Sequence, residues 1–206
     1  MSCLVLDPRV AAGSAAAESP PVAAPRTTAA AKKALPTLKI PGAQEALRNV
    51  DGGESLCTSM DATNPLPLPD FCPHLLHSGM STLTRETAPA EGKRQIISVM
   101  TLALRDVPSA RAAYRQMGDE PRSQFPTVSV PPALGDERVR FQGPDGDGMT
   151  RDALVIRTGT VVITLDASGV VEPATTARLP EYGATAVATA QRAQADVLAA
   201  KETATS

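Results

Sequence analysis

The chain has 206 residues and a mass of 21.3 kDa, enough for one domain and a tail. Twenty lysines and arginines stand against 22 acidic residues, and this net charge of −2 provides no basic field for a nucleic-acid backbone, so we expect no nucleic-acid partner. Aromatic residues make up only 2% of the chain, which predicts an aliphatic core and argues against an aromatic platform for stacking bases or sugars.

The first part of the chain, residues 1–42, is predicted to be a disordered Ala/Pro-rich tether. Residues 8–36 contain eleven alanines and five prolines and show neither helical nor strand periodicity. Proline removes a backbone donor and restricts the residue before it, so we expect no helix of useful length between these prolines. The rest of the chain is divided into a domain over residues 43–200 and a disordered tail over residues 201–206.

Two short helices are expected near the start of the domain, over residues 43–50 and 74–78. The first is followed by a turn over residues 51–53 (DGG). Residues 95–105 (QIISVMTLALR) carry β-branched and apolar side chains on both alternating faces, which predicts a strand buried from both sides. Residues 80–87 are its expected hairpin partner.

A helix is predicted over residues 107–117, because Asp106 can cap its first turn. Pro108 falls in that first turn, where its missing N–H is harmless, and Gly118 can close the helix. The stripe expected to be buried comprises Ala110, Ala113, Tyr114 and Met117.

The C-terminal half of the domain is predicted to contain three strands. Residues 137–142 alternate in polarity, as a half-buried strand does. Arg138, Arg140 and Gln142 share one side of this strand, and Val139 and Phe141 share the other. Residues 153–157 and 161–165 flank a short connection containing Gly159, which predicts a β-hairpin.

A long amphipathic helix is predicted over residues 181–200. Its apolar positions recur at steps of three and four, so that an alanine-rich face can lie close to a sheet. These positions are Tyr182, Ala186, Ala190, Ala193 and Val197. Strands interspersed with helices, together with the antiparallel hairpin, predict an α+β fold in which helices pack on a mostly antiparallel sheet.

The cysteines define three alternatives for one part of the chain. Cys57 and Cys72 lie in a loop-rich region, where a disulfide would stabilise the fold by about 3 kcal/mol and would require an oxidising compartment. With His74 and His77 they also supply the ligands of a zinc site, and Cys57 could be a nucleophile with a histidine as its base. The spacing favours the disulfide. Cys3 is expected to be an incidental thiol, with a lipid-acceptor cysteine as the alternative.

Other patterns typical of metal or enzymatic chemistry are weak. Residues 145–148 (DGDG) are typical of a calcium loop, but Ile156 stands where such a loop needs its final glutamate, so we predict a solvated turn. The adjacent acidic pairs at 119–120 and 136–137 are expected to be surface charges. GxSxG, SxxK, GxGxxG, Walker A and HExxH motifs do not occur, and we expect no catalytic residues, no cofactor and no metal.

Four segments, taken in order, carry a family resemblance. They are CPHLL (72–76), ISVMTLALRDVPSARAAYRQM (97–117), ALGDE (133–137) and DALVIRTGTVVITL (152–165). Over residues 44–200 the chain resembles the extracytoplasmic sensor-like domains of bacterial receptor Ser/Thr kinases and related small cell-envelope lipoproteins of high-GC Gram-positive bacteria. In that family a G-D-E turn opens a late strand and a "VRxG" hairpin ends the sheet, where this chain has residues 156–159 (IRTG).

The resemblance implies a single α+β domain with a cleft for an unidentified small ligand, and disulfides outside the membrane, in agreement with Cys57 and Cys72. We therefore predict a non-enzymatic, extracytoplasmic ligand-binding domain of the cell envelope. Its concave face is expected between the sheet and the helix over residues 107–117, with Arg140 or Arg157 contacting a small molecule or an envelope component. Two alternatives stay open: both arginines are solvated strand charges, or the chain is a small hydrolase or transferase with a dispersed active site.

The N-terminus indicates how such a domain would reach the envelope. The apolar stretch MSCLVL ends at Asp7 and Pro8, so the sequence as written carries neither a complete export signal nor a membrane span. An apolar stretch followed by a tether is what remains of a chain truncated within a signal sequence or an anchor. We hypothesise an upstream segment that secretes the domain or anchors it to the membrane.

Overall fold

In the part of the chain that the structure describes, seven strands form one antiparallel sheet with helices on both faces. This computed structural model describes residues 23–53, 56–58, 69–88, 93–144 and 149–204. The strands are β1 (Gln44–Gly52), β2 (Leu75–Ala88), β3 (Lys93–Leu104), β4 (Thr127–Val128), β5 (Glu137–Pro144), β6 (Thr150–Thr158) and β7 (Val161–Gly169). The helices of these ranges include α1 (Thr28–Ala34), α2 (Val107–Gln124) and α3 (Pro173–Ala204), and a 3₁₀ turn spans Cys72–His74. The predicted α+β class is confirmed.

The strands follow the order β1-β2-β3-β7-β6-β5-β4 across the sheet. β2 and β3 form the expected hairpin, and so do β6 and β7, where Gly159 adopts a φ of +56° that favours glycine. β3 lies between β2 and β7, with Val99 opposite Leu165, and both of these side chains are fully buried. On the other face of β3 only Leu102 and Leu104 are buried and Ile96 is exposed, so the prediction of a strand buried from both sides holds for the C-terminal half of β3 alone.

One face of the sheet, called face A, carries α1 and α3. Leu154 and Ile156 of β6 point to this face and are fully buried, as are Ala186 and Ala190 of α3. Gly183 allows the close approach of α3, because a Cβ there would lie 2.9 Å from Leu154 Cδ2. The alanine-rich face predicted for this helix therefore packs on the sheet.

The opposite face, called face B, carries α2. Ala110 and Ala113 are fully buried, and Tyr114 and Met117 are partly buried against the same cluster, so the predicted stripe is confirmed. The cap is confirmed as well, since Asp106 Oδ1 accepts the backbone N–H of Ser109 at 2.8 Å. Buried partners of this helix on the sheet are Leu102, Phe141, Val155 and Val162.

The two short helices predicted at residues 43–50 and 74–78 are wrong. The first stretch is the edge strand β1, paired antiparallel with β2 apart from a bulge between Glu45 and Leu47. Hydrogen bonding along the neighbouring strand outweighs the helix preference of its Glu, Ala, Leu and Arg residues. The second stretch is helical only at His74, and it continues as β2.

A helix also forms where the prolines were expected to forbid one. α1 begins after Thr27, whose Oγ1 accepts the N–H of Ala30 at 3.1 Å. Ala31 and Ala34 are buried, and the helix packs on α3. Tertiary packing therefore supplies the stability that a seven-residue helix lacks on its own.

The segment that follows α1, residues 35–43, is called the strap. Leu35, Leu38 and Ile40 are buried in it, and the last two belong to the core cluster on face A. The tether prediction is therefore corrected for residues 23–42, because their apolar side chains pack on the domain. Residues 1–22, with Cys3, lie outside the described residues.

Both long helices run past their predicted ends. α2 continues past Gly118, which is buried, to Gln124, and Phe125 after it is extended because Pro126 follows. α3 includes the described part of the predicted tail at 201–206, where no glycine or proline interrupts it. Among the described residues, no helix is both long and apolar enough to cross a bilayer.

Candidate functional site

Arg140 lies in β5 on face A and is held inside the protein. Its side chain is 9% exposed, and its Nε and Nη2 donate to the two carboxylate oxygens of the fully buried Asp152 at 2.8 and 2.6 Å. Nη2 also donates to the backbone oxygen of Thr176 at 2.6 Å. Pro180, four positions further along α3, has no N–H for that oxygen. Arg140 therefore ties two strands to a helix carbonyl that lost its usual donor.

Arg157 lies in β6 on face B, and its side chain is only 4% exposed. Its Nη1 donates to Asp136 Oδ2 at 2.9 Å and to the Gly159 oxygen at 3.0 Å, and its Nε donates to Glu137. Asp136 also accepts the Gly159 N–H and donates its own N–H to the Arg157 oxygen, both at 2.8 Å. The G-D-E turn and the I-R-T-G hairpin of the sequence therefore form one interlocked unit.

The structure does not bring the two predicted ligand contacts together. Arg140 and Arg157 point to opposite faces of the sheet, and each is paired with carboxylates inside the chain. Because both side chains are buried, the alternative that they are solvated strand charges is wrong. The carboxylates at 136–137 are likewise partners of Arg157 rather than free surface charges. A ligand contact by either arginine stays a prediction, and it would have to displace these ion pairs.

Cys57 and Cys72 form a disulfide, with their Cα atoms 5.9 Å apart. The bridge uses both sulfur atoms, so neither the zinc site with His74 and His77 nor a Cys57 nucleophile can form while it is intact. Among the described residues, no group of three or more His, Cys, Asp or Glu is placed to hold a metal ion. The DGDG segment at 145–148 lies outside the described residues.

The two histidines are partly buried, and the Nδ1 atom of each has no hydrogen-bond partner within the described ranges. Asp106, an acid whose charge interacts with that of His74, is already used as the cap of α2. Hydrogen bonds from the backbone N–H and the hydroxyl of Ser109 hold the pKa of Asp106 below its usual value, and the nearby charges of His74 and Arg105 lower it further. Asp106 is therefore committed to the helix rather than to orienting a base.

Two adjoining cavities flank the strap. The larger one, called the β1 groove, has a volume of about 470 Å³, within the range of roughly 300–1,000 Å³ common for small-molecule sites. Its lining consists of Thr37, Leu38, Lys39, Ile40, Pro41, Ala43, Glu45 and Leu83. Five of these eight residues are apolar, so the groove suits a ligand with an apolar part.

The smaller cavity, called the α3 cavity, has a volume of about 280 Å³ and lies between the strap and α3. Its lining consists of Thr37, Leu38, Lys39, Arg178, Glu181, Tyr182 and Thr185. Arg178 Nε donates to Glu181 at 3.1 Å, and the guanidinium lies 5.4 Å from the centroid of the Tyr182 ring. Residues 37–39 line both cavities and separate them.

Two arginines of the sheet fix the strap in place. Arg48 of β1 donates to the backbone oxygens of Leu35 and Pro36 at 2.8 and 3.2 Å. Arg85 of β2 donates to the Pro41 oxygen at 3.4 Å. The strap is thus a fixed wall of both cavities, anchored at its two ends.

A third cavity of about 170 Å³ lies on face B. Its lining consists of Asn49, Asp51, Leu56, Ser78, Gly79, Met80 and Met100. None of the three cavities is lined by a residue of α2 or by a predicted ligand-binding arginine. Ala110 and Ala113 pack α2 directly on the strands, and a ligand-binding concave face between the sheet and this helix stays a prediction.

Comparison with known proteins gives a coarse structural likeness. No family model matches the chain, and none of the curated proteins matches it. Among solved structures, the chain is similar to the extracellular domain of PknH from Mycobacterium tuberculosis, with 11% sequence identity and a TM-score of 0.47 over 73% of this chain and 86% of that chain. This likeness assigns no family, role, residue or ligand to this chain.

The residues around the strap were missed at the level of sequence, although a signal was present. In the stretch LPTLKIP, residues 35–41, apolar side chains recur at Leu35, Leu38 and Ile40, and the stretch contains two prolines. Such a pattern is typical of an extended segment lying on an apolar surface rather than of a solvated tether. The alanine-rich context before it concealed this signal.

Proposed function

We propose that this chain is a non-enzymatic, extracytoplasmic binding domain of the cell envelope whose small-molecule or envelope ligand lies along the strap. The observation that carries the proposal is the β1 groove, a largely apolar cavity of about 470 Å³ with one wall fixed by arginines of the sheet. The adjoining α3 cavity extends the same surface. The ligand site is then built by the strap, which joins the N-terminal helix to the sheet.

The disulfide supports a location outside the cytoplasm. Disulfides persist in oxidising compartments and are rare in proteins that stay in the cytosol. The bridge between Cys57 and Cys72 joins residues 56–58 to the turn before β2, with Cys57 itself buried. Secretion or membrane anchoring of the domain is part of this proposal.

The chemistry of the cavities favours binding over hydrolysis or group transfer. A hydrolytic site needs a nucleophile or an activated water beside a base that a carboxylate orients. The lining residues of the three cavities include no histidine and no cysteine. In the β1 groove, the carboxylate of Glu45 is already bound to Arg48 and to the Ser81 hydroxyl, at 3.2 and 2.8 Å.

A thermal-shift screen of envelope metabolites and lipids tests this proposal. A ligand present at one hundred times its dissociation constant stabilises the folded protein by about 2.7 kcal/mol, which is a readily measured rise in melting temperature. We expect at least one compound to produce such a rise. A library in which no compound does so would contradict the binding role.

Two phenylalanine variants locate the binding. Ala43→Phe fills the β1 groove, so we expect it to remove the ligand-induced rise in melting temperature. Ala46→Phe is the matched control, because Ala46 is exposed on β1 and lines neither cavity. If both variants lose binding equally, or if neither loses it, the ligand lies elsewhere.

A further inference from the structure

The charges around residues 37–39 leave one cation uncompensated. Arg178 has Glu181 as its ion-pair partner, with Nε and Oε2 at 3.1 Å. Lys39 lies exposed at the junction of the two cavities, and within the described residues it makes no ion pair or hydrogen bond. The α3 cavity therefore carries two cations against one carboxylate.

The polar groups around Lys39 suit an anion. Thr37 and Tyr182 bring hydroxyl groups to the same cavity, whereas the Thr185 hydroxyl donates to the Glu181 backbone oxygen at 3.1 Å. Hydroxyls and ammonium groups are the donors that bind carboxylate and phosphate oxygens. The one acid of the β1 groove, Glu45, is neutralised by Arg48 at 3.2 Å. A negative group beside Lys39 therefore meets no unpaired carboxylate in either cavity.

We propose that the strap site binds a ligand with a carboxylate or phosphate group, held by Lys39 in the α3 cavity, and a compact apolar body in the β1 groove. This inference rests on the proposed binding function and names its ligand class. Lys39 is the residue that determines specificity, because it lines both cavities and is the free charge at their junction. The apolar body then lies against Ala43 and Leu83 of the groove.

Four probes with the same six-carbon chain test this inference: hexanoate, hexyl phosphate, hexanol and hexylamine. Titrations are followed in amide NMR spectra of the full chain. We expect saturable shifts at residues 37–45 and 178–185 with the two anions. Hexanol and hexylamine should bind about tenfold more weakly, because neither can accept a charge-assisted hydrogen bond from Lys39 as an anion does. Saturation by only one of the anions supports the inference and identifies the acid group.

Two lysine variants test whether the charge of Lys39, rather than the shape of the cavity, determines anion binding. Lys39→Gln should weaken binding of the anions about tenfold and leave hexanol binding unchanged. Lys32→Gln is the matched control, because Lys32 is an exposed lysine of α1 that lines neither cavity. If hexanol binds as tightly as hexanoate, or if both lysine variants behave alike, the anion assignment is overturned.

The failure of this inference is distinguishable from that of the proposed function. A neutral or cationic compound could raise the melting temperature of the wild type but not that of Ala43→Phe. This result would overturn the anionic ligand class and keep the binding function. Anions that shift residues away from the strap would overturn the site. Absence of any bound compound in the thermal screen and in the titrations would overturn both.

Discussion

Arg157 and Asp136 lock two turns together from positions 21 residues apart in the chain, with Nη1 and Oδ2 separated by 2.9 Å. The same carboxylate accepts the N–H of Gly159, so it positions the β6–β7 hairpin as well as the arginine. Gly135, before the aspartate, has a φ of +67°, and a Cβ there would lie 2.6 Å from Ile156 Cγ2. The interlocked G-D-E turn and I-R-T-G hairpin therefore depend on the identity of residues in both segments.

Asp136→Asn should destabilise the protein by about 3 kcal/mol. The change removes one of the two carboxylates paired with Arg157, whose side chain is 4% exposed. Breaking a buried ion pair costs about 3–5 kcal/mol, and we expect the low end because Glu137 still compensates part of the charge. Urea unfolding measures the loss. The matched control is Asp196→Asn, which breaks an exposed pair with Lys33 and should change stability by less than about 1 kcal/mol. Equal effects of the two variants would mean that Arg157 is not held by Asp136.

Arg140→Met should cost about 3–5 kcal/mol, because it leaves Asp152 buried without its partner. Arg140→Met combined with Asp152→Leu should recover most of that loss, since two well-packed apolar residues can replace a buried ion pair at little cost. The free energies of unfolding of the two variants are compared in urea. A double variant as unstable as the single one would show that the Thr176 contact, rather than the ion pair, carries the stability.

Asp106 should make stability depend on pH in the acidic range. Its pKa is lowered in the folded state by hydrogen bonds from Ser109, so its stabilising effect is complete above the unfolded value of about 3.9. This effect is lost as the pH falls through the folded value. Asp106→Asn should retain most of the cap at neutral pH and lose this acid dependence, whereas Asp106→Ala should cost about 1 kcal/mol at neutral pH. Unfolding midpoints measured from neutral to acid pH test this, and parallel curves for wild type and Asp106→Asn would be the contrary result.

Leu38→Ala should destabilise the protein by about 2–4 kcal/mol, as expected for removing a buried leucine from a core. Thr37→Ala, at an exposed neighbouring position, should change stability by no more than about 0.5 kcal/mol. Both are measured by chemical unfolding. If Leu38→Ala is as mild as its neighbour, the strap does not pack on the sheet in solution.

The sequence predicted those parts of the fold in which local pattern and tertiary structure agree. The C-terminal half of β3, around Leu102, is largely apolar because both faces are covered there, and the hairpin at Gly159 needs the backbone freedom of glycine. The helix after Asp106 has both a cap and an apolar stripe. In each case a short stretch carries the complete physical reason for its structure.

The parts that were mispredicted depend on partners distant in the chain. β1 is a strand because β2 offers it hydrogen bonds, although its own residues favour a helix. α1 and the strap are ordered because α3 and the sheet bury their apolar side chains. The buried state of Arg140 depends on Asp152 and on the proline of α3, which no local pattern connects. The candidate site also depends on residues distant in the chain, because it forms where the strap meets the sheet.

The disulfide between Cys57 and Cys72 offers the most direct test that this is a domain of an oxidising compartment. Protein is recovered from its native host, free thiols are blocked, and the peptides are analysed by mass spectrometry with and without reduction. We expect the peptides bearing these two cysteines to be linked and unblocked, and to gain two hydrogen atoms on reduction. Two blocked thiols before reduction would contradict the proposed extracytoplasmic location and would make the zinc site and the enzymatic alternative available again.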